Sequence, residues 1–304
     1  MSRIHDALKK AEEEKTALGA AVATPSEPSH LVQEQTERRP LFAGDHGMGL
    51  PELLRFNELK EKCPRPKWKL DPNTNVFVDG SRASLAAEQF RTLRSRLYQI
   101  RAAQRLKTIL ITSAVSGEGK TFVVRNLAQS LVRQRDRRVL VIDGDLRRAG
   151  QHVSFGAPEG PGLADYLSGS ADLLSIIQFG PIENLCLIPG GSATTSREPS
   201  DLLSGPEFKH LLDLLAPVFD WILVDSPPVV PVADATMIAV LCDGVLVVVK
   251  ANSTDFQLAQ KACQEFHEKN LIGVVLNSVE RVTGYENYAY TYGADRSSTP
   301  TPTK

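Results

Sequence analysis

Six short apolar runs rich in β-branched residues punctuate the chain from residue 108 onward: Thr108–Thr112, Val139–Ile142, Leu185–Ile188, Trp221–Val224, Val245–Val249 and Gly273–Leu276. Each is continuous rather than alternating, the pattern of a strand buried on both faces. Several of the intervals between them are long and periodic enough to hold helices. Strands of this kind separated by helices predict an α/β fold of three layers, a mostly parallel central sheet flanked by helices. Just upstream, from Ser84, Ala86, Phe90, Leu93, Leu97 and Ile100 recur at alternating spacings of four and three. That spacing predicts a helix with one apolar face.

The ends of the chain read differently. Residues 2 to 18 suit a short helix, with Ser2 as cap, Ile4, Leu8 and Ala11 at helical spacing, and Asp6 paired with Lys10. From Thr16 to about Asn75 the chain turns to Pro, Gly, Ser, Thr and charge without sustained periodicity, the composition of a linker or loosely ordered arm. The last dozen residues, GADRSSTPTPTK, read as a disordered tail. The expected organisation is therefore an N-terminal helix and flexible arm over 1–80, a phosphate-binding domain over 81–280 and a C-terminal tail over 281–304.

Composition narrows the function. Of 304 residues, 42% are hydrophobic and 23% charged, which excludes wholesale disorder and a membrane-embedded body. Thirty-five Lys and Arg against 36 Asp and Glu give a net charge of -1, so no global field draws the chain to nucleic acid. The local basic run Arg133-Gln134-Arg135-Asp136-Arg137-Arg138 lacks interleaved aromatics and suits a solvated face, or a docking surface for an acidic segment. Cysteines 63, 186, 242 and 263 form no CxxC pair, which fits a reducing compartment. The longest apolar stretch, Val229 to Val249, is broken by Pro231, Asp234, Asp243 and Gly244, and the charged N-terminus has no signal-peptide core. Neither export nor a membrane span is expected.

The chemistry concentrates in four places. Ala114-Val115-Ser116-Gly117-Glu118-Gly119-Lys120-Thr121 follows the run TILITS and opens the helical stretch to Gln134. A strand, a small-residue loop and a helix N-terminus together cradle phosphate with backbone N–H groups. Lys120 adds charge and Thr121 a magnesium ligand. Ser116 to Phe122 are the expected nucleotide contacts of this loop, with Ala at its first position where the simple pattern has Gly. A second apolar run ends in Asp143-Gly144-Asp145-Leu146-Arg147 and a fourth in Asp225-Ser226-Pro227-Pro228, each projecting acids from the strand edge where open α/β sheets bind ligands. One such Asp alone is more often a turn or cap residue. Three beside a phosphate loop match the division of labour in phosphoryl transfer, one holding magnesium through water and another accepting a proton. Finally, Tyr285, Tyr288, Tyr290 and Tyr292, four of the six tyrosines, crowd eight positions after the last run with nothing apolar to bury them. They read as an acceptor cluster or as a stacking surface.

These residues resemble the bacterial tyrosine kinases that accompany capsular and exopolysaccharide synthesis, relatives of the MinD/ParA ATPases. That family joins a phosphate loop, a D-x-D-x-R motif, a Walker B aspartate and a C-terminal tyrosine cluster; here these correspond to Ala114–Thr121, Asp143–Arg147, Asp225 and Tyr285–Tyr292. Glu88, Arg91 and Arg94 match its E-x-x-R-x-x-R element, which in relatives mediates ring-shaped self-association; the same residues could form a solvated helix face. The chain has Ser116 where many relatives have proline, and Ala149 where many have proline after the acidic motif. The opening MSRIHDALKKAEEEK is similar to a subgroup of cytoplasmic autokinases.

The resemblance implies ATP and Mg2+ as cofactors. It implies Lys120 on the β- and γ-phosphates, Thr121, Asp145 and Asp225 as metal residues, Asp143 as proton acceptor and Asn277 near the adenine. It also implies a ring-like homo-oligomer, a membrane-bound polysaccharide co-polymerase as activator, a cognate tyrosine phosphatase, no nucleic acid, and a place in the cytoplasm at the inner face of the membrane. The alternative is a positioning ATPase of the MinD/ParA type. That class carries a lysine where this chain has Val115, and it leaves the tyrosine cluster unexplained.

Overall fold

The structure, a computed structural model, describes residues 55–77, 85–192, 197–266 and 271–279. All of them lie in the unit that runs from Glu52 to Lys304. The expected helix at 2–18 and the tyrosine cluster lie outside the described residues.

Seven strands form one sheet: β1 (Thr108–Ser113), β2 (Val139–Asp143), β3 (Gln178–Phe179), β4 (Leu185–Ile188), β5 (Trp221–Asp225), β6 (Gly244–Lys250) and β7 (Leu271–Asn277). Their order is β3-β4-β2-β5-β1-β6-β7. All neighbours are parallel except β3, which runs antiparallel to β4. The six predicted runs are the six parallel strands, each extended by at most two residues at an end. The missing seventh, β3, is two residues long and offers no periodicity to read.

Within each continuous apolar run the side chains still alternate between two cores. Val139 and Val141 pack on one face with Ile109, Ile111, Trp221 and Leu223, while Leu140 and Ile142 pack on the other with Leu110, Ile222 and Val224. The first face is covered by α2 (Leu85–Ala103) and α3 (Lys120–Val132), with Phe155 of α4 (Gln151–Phe155). The second is covered by α1 (Phe56–Lys62), α5 (Leu163–Leu167), α6 (Leu173–Ile176), α7 (Pro199–Ser204), α8 (Pro206–Leu215), α9 (Asp234–Ala239) and α10 (Phe256–Gln264). Both faces are dry over β1, β2, β4, β5 and most of β6, which is why those strands read as unbroken hydrophobic runs, while the edge strand β7 leaves Val274 and Leu276 exposed.

Two expectations need correction. The predicted face of α2 holds except at its first residue: Phe90 and Leu97 are buried and Leu93 and Ile100 pack half-buried on the same core, but Ala87 is buried and Ala86 exposed. The inner stripe also takes in two arginines. Arg94 donates to the Ser130 carbonyl at 2.6 Å and Arg101 to that of Asp220 at 2.9 Å. Their stems pack inward and their heads find carbonyls, so polar residues share the stripe that the apolar pattern marks.

The second correction concerns the arm. The expectation of loose chain up to Asn75 does not hold for residues 55–77. Phe56 and Leu59 of α1 are buried, the Phe56 ring lying 5.6 Å from that of Phe179 and 5.7 Å from that of Phe219. Trp68 sits 5.1 Å from Phe155. The segment then hydrogen-bonds to α3: Val76 N–H to Asn126 Oδ1 at 2.9 Å, the Gln129 amide to Asn75 Oδ1 at 2.7 Å, and the Arg125 guanidinium to the Thr74 carbonyl. Isolated aromatics spaced 12 residues apart anchor this stretch without making it periodic.

Candidate active site

Parallel strands bring their C-terminal ends to one edge, and β1, β2 and β5 are adjacent there. The loop after β1 leads directly into α3. Gly117 and Gly119 take φ of +85° and +90°, left-handed values that a side chain resists. At Gly119 a β-carbon would also land on Asn277 Nδ2. Lys120 is the first residue of α3, so the unpaired N–H groups of the helix start and the lysine charge share one place.

The register of β2 against β5 sets Asp143 directly beside Asp225. Thr121, one residue into α3, donates its hydroxyl to Asp225 Oδ2 at 2.8 Å, and Gln151 donates its side-chain amide to the same oxygen at 2.9 Å. Asp143 Oδ2 accepts the N–H groups of Gly150 at 2.9 Å and Gln151 at 2.8 Å. The remaining oxygen of each carboxylate, Oδ1, is buried with no protein partner. Burial, reinforced by the neighbouring Asp225 charge, holds the Asp143 carboxyl well above the ordinary range. Burial also raises Asp225, against the pull of Lys120 and the bonds from Thr121 and Gln151.

Asp145 is less enclosed than Asp143. Burial raises it, Lys120 opposes the rise, and its Oδ1 accepts the Arg148 N–H at 3.1 Å. Gly144 between the two acids is required by contact: its N–H donates to the Asp225 carbonyl at 2.8 Å, where a β-carbon would collide. Arg147 then closes the loop with a bidentate bond to the buried Asp234, 2.7 Å from Nε and 3.2 Å from Nη2.

The donor set suits a magnesium ion. Two buried carboxylate oxygens without partners stand beside a threonine hydroxyl, and hard oxygens of this kind are what that ion takes. Those oxygens belong to Asp143, Asp225 and Thr121, and the Asp145 charge is near enough to bear on both buried acids.

The sequence-predicted residues thus fall into three groups. Ser116 to Thr121, Asp143, Asp145 and Asp225 come together at one edge, and Asn277 joins them from the end of β7 by donating its amide to the Glu118 carbonyl at 2.8 Å. Phe122 turns aside and packs near Phe90, with ring centroids 5.9 Å apart. Glu88 and Arg91 form an exposed ion pair on α2, while Arg94 is engaged with α3. Sequence reasoning missed Gln151 and Asp234, which hold the acids and Arg147 in place. Each is a polar residue in an otherwise unremarked stretch, and only the fold reveals its partner.

Comparison with known proteins agrees with this geometry. Residues 109–291 match the model of the CobQ/CobB/MinD/ParA nucleotide-binding domain, CbiA. That defines the class, a nucleotide-binding domain with the phosphate loop and acids just described. The chain is 32% identical over 258 residues to the tyrosine-protein kinase wzc of Salmonella typhi, across 83% of this chain and 36% of that protein. It is 36% identical over 182 residues to the tyrosine-protein kinase CpsD of Streptococcus pneumoniae, across 59% of this chain and 79% of that one. The kinase domain of the Escherichia coli tyrosine kinase ETK matches with a TM-score of 0.62 at 30% identity, over 67% of this chain and 80% of that structure. The chain belongs to the bacterial tyrosine kinases within the CobQ/CobB/MinD/ParA nucleotide-binding family. It spans about a third of the length of wzc.

Proposed function

We propose that this chain is an ATP- and magnesium-dependent tyrosine kinase that phosphorylates its own C-terminal tyrosines, Tyr285, Tyr288, Tyr290 and Tyr292, and thereby regulates capsule or exopolysaccharide synthesis. The observation that carries the reading is the Asp143–Asp225 pair beside Thr121 and the phosphate loop, in a chain whose relatives are named tyrosine kinases.

The N–H groups of Gly117 to Thr121 and the Lys120 ammonium bind the β- and γ-phosphates of ATP. Thr121, Asp145 and Asp225 would hold magnesium, which would supply positive charge to offset that of the transferring phosphate. A tyrosine oxygen forms its bond to the γ-phosphorus as the bond from that phosphorus to the β-bridging oxygen breaks, ADP leaves, and the phenolic proton passes to Asp143. A phenol of pKa about 10 is protonated at neutral pH and needs such an acceptor. The basicity that burial gives Asp143 suits that task. Because Asp143 is fully enclosed, the Gly144–Gly150 loop must shift to admit the hydroxyl. Asn277 spends its amide on the loop, and its carbonyl is left to face the adenine amino group.

The cluster begins eight residues beyond Asn277, and in this proposal the acceptor of one copy enters the site of a neighbour. A ring-like homo-oligomer built through Glu88, Arg91 and Arg94 supplies that neighbour. Among the described residues no helix is long and apolar enough to cross a membrane. A membrane-bound co-polymerase would place the chain at the inner membrane face and activate it, and a tyrosine phosphatase would reset the tail. The positioning-ATPase reading gains nothing from Val115: it is half-buried, packs on the core and carries no charge to offer a partner's nucleotide.

The fate of the γ-phosphate tests the proposal. With labelled ATP and magnesium, label is expected on protein tyrosine, and Asp143→Asn should cut the rate at least a hundredfold, within the usual worth of a general base. Label released wholly as inorganic phosphate would contradict it.

A further inference from the structure

Within the phosphate loop the Glu118 side chain turns into the protein, where it is 2% exposed. A buried carboxylate is tolerated only with donors around it. Glu118 has three, from two parts of the chain. Its Oε2 accepts the Val115 N–H at 2.7 Å, and its Oε1 accepts the Thr254 hydroxyl at 2.5 Å and the Lys250 N–H at 3.3 Å. Val115 lies in the phosphate loop; Lys250 ends β6 and Thr254 lies on the connection from β6 to α10, 136 residues beyond Glu118. These donors are themselves fixed, Thr254 N–H on the Lys250 carbonyl at 3.1 Å and Ala251 N–H on the Asn277 carbonyl at 2.8 Å.

We infer that Thr254, outside the strand–loop–helix motif, is a positioning residue for nucleotide binding that acts through Glu118. Its hydroxyl is the shorter of the two bonds to Oε1. Without it that oxygen keeps only the long bond from Lys250, and a buried charge so poorly paired turns toward water. A freed carboxylate on this loop repels the phosphates that the loop binds, and Val115 N–H loses its acceptor. Thr254 thus keeps the loop preformed and keeps its one negative side chain away from the anion it must bind.

The inference rests on the phosphate-loop reading, and its test separates the two. Calorimetric titration with Mg-ADP, alongside KM for ATP and kcat, is made on wild type, Thr254→Val, Thr254→Ser, Glu118→Gln and the Thr254→Val/Glu118→Gln double variant. Thr254→Val is expected to weaken ADP binding and raise KM about tenfold, the size of one charge-assisted hydrogen bond, with kcat at saturating ATP within twofold. Thr254→Ser restores wild-type affinity, and the double variant is no weaker than Glu118→Gln alone, since both act on one contact. Thr254→Val binding within twofold of wild type overturns the inference, as does Thr254→Ser falling equally far. If Thr254→Val does not fold, Thr254→Ala carries the same comparison. Wild type that binds no Mg-ADP overturns the phosphate-loop reading and the inference together.

Discussion

Two carboxylates side by side and out of water are expensive, and the free protein carries that cost at Asp143 and Asp225. The sign follows from linkage. A carboxyl whose folded pKa lies above its unfolded value binds more protons when folded, so stability is lost as pH rises from the unfolded value of about 4 through the raised one. The nucleotide-free protein should therefore lose melting temperature between pH 5 and neutrality, after allowance for its other groups. Asp143→Asn should flatten that slope and raise the melting temperature at pH 7.5, because an amide oxygen still accepts the Gly150 and Gln151 N–H groups without the buried charge. The same variant loses phosphotransfer, a trade of stability for function. Thermal melts across pH check it; a melting temperature below wild type would show that the Asp143 charge is stabilising. A second residue-scale outcome concerns Gly119. Gly119→Ala must adopt a left-handed φ and collide with Asn277, so Mg-ADP binding should fall by at least tenfold in titration.

Among the elements, the strands were readable and α1 was not, for one physical reason. A strand buried on both faces by two helical layers has to be apolar at successive positions, so β1, β2, β4, β5 and β6 announce themselves; the edge strand β7 is as apolar, although Val274 and Leu276 are exposed. The 55–77 segment is held by single aromatics and by side chains of α3 that meet its backbone, and neither leaves a period. Likewise the acids were legible because they terminate apolar runs. Gln151 and Asp234 were not, because their partners, Asp225 and Arg147, are distant in sequence. The α1 packing makes a prediction: Phe56→Ala removes a ring set between Phe179 and Phe219. It should cost about 3 to 5 kcal/mol of stability in denaturant unfolding. A loss under 1 kcal/mol would mean that α1 is dispensable.

At the scale of the whole molecule, the question is how copies meet. Glu88 is exposed and Arg91 half-buried on α2, whereas Arg94 lies on the inner stripe and holds α2 to α3. Replacing all three would confuse assembly with packing. Glu88→Ala/Arg91→Ala is the cleaner probe, and it should reduce both oligomer mass in light scattering and tail phosphorylation while leaving the melting temperature within a few degrees, since an exposed ion pair contributes about 1 kcal/mol or less. Arg94→Ala should lower the melting temperature as well.

The central claim is that phosphate moves from ATP at Lys120 to the tyrosines of the tail. Peptide-resolved mass spectrometry of the protein after incubation with magnesium and ATP, beside Lys120→Ala treated identically, reads it directly. Phosphate is expected on at least one of Tyr285, Tyr288, Tyr290 and Tyr292 in the wild type and on none in Lys120→Ala. Equal modification of both proteins, or a wild-type tail that stays bare while phosphate is released into solution, would contradict it.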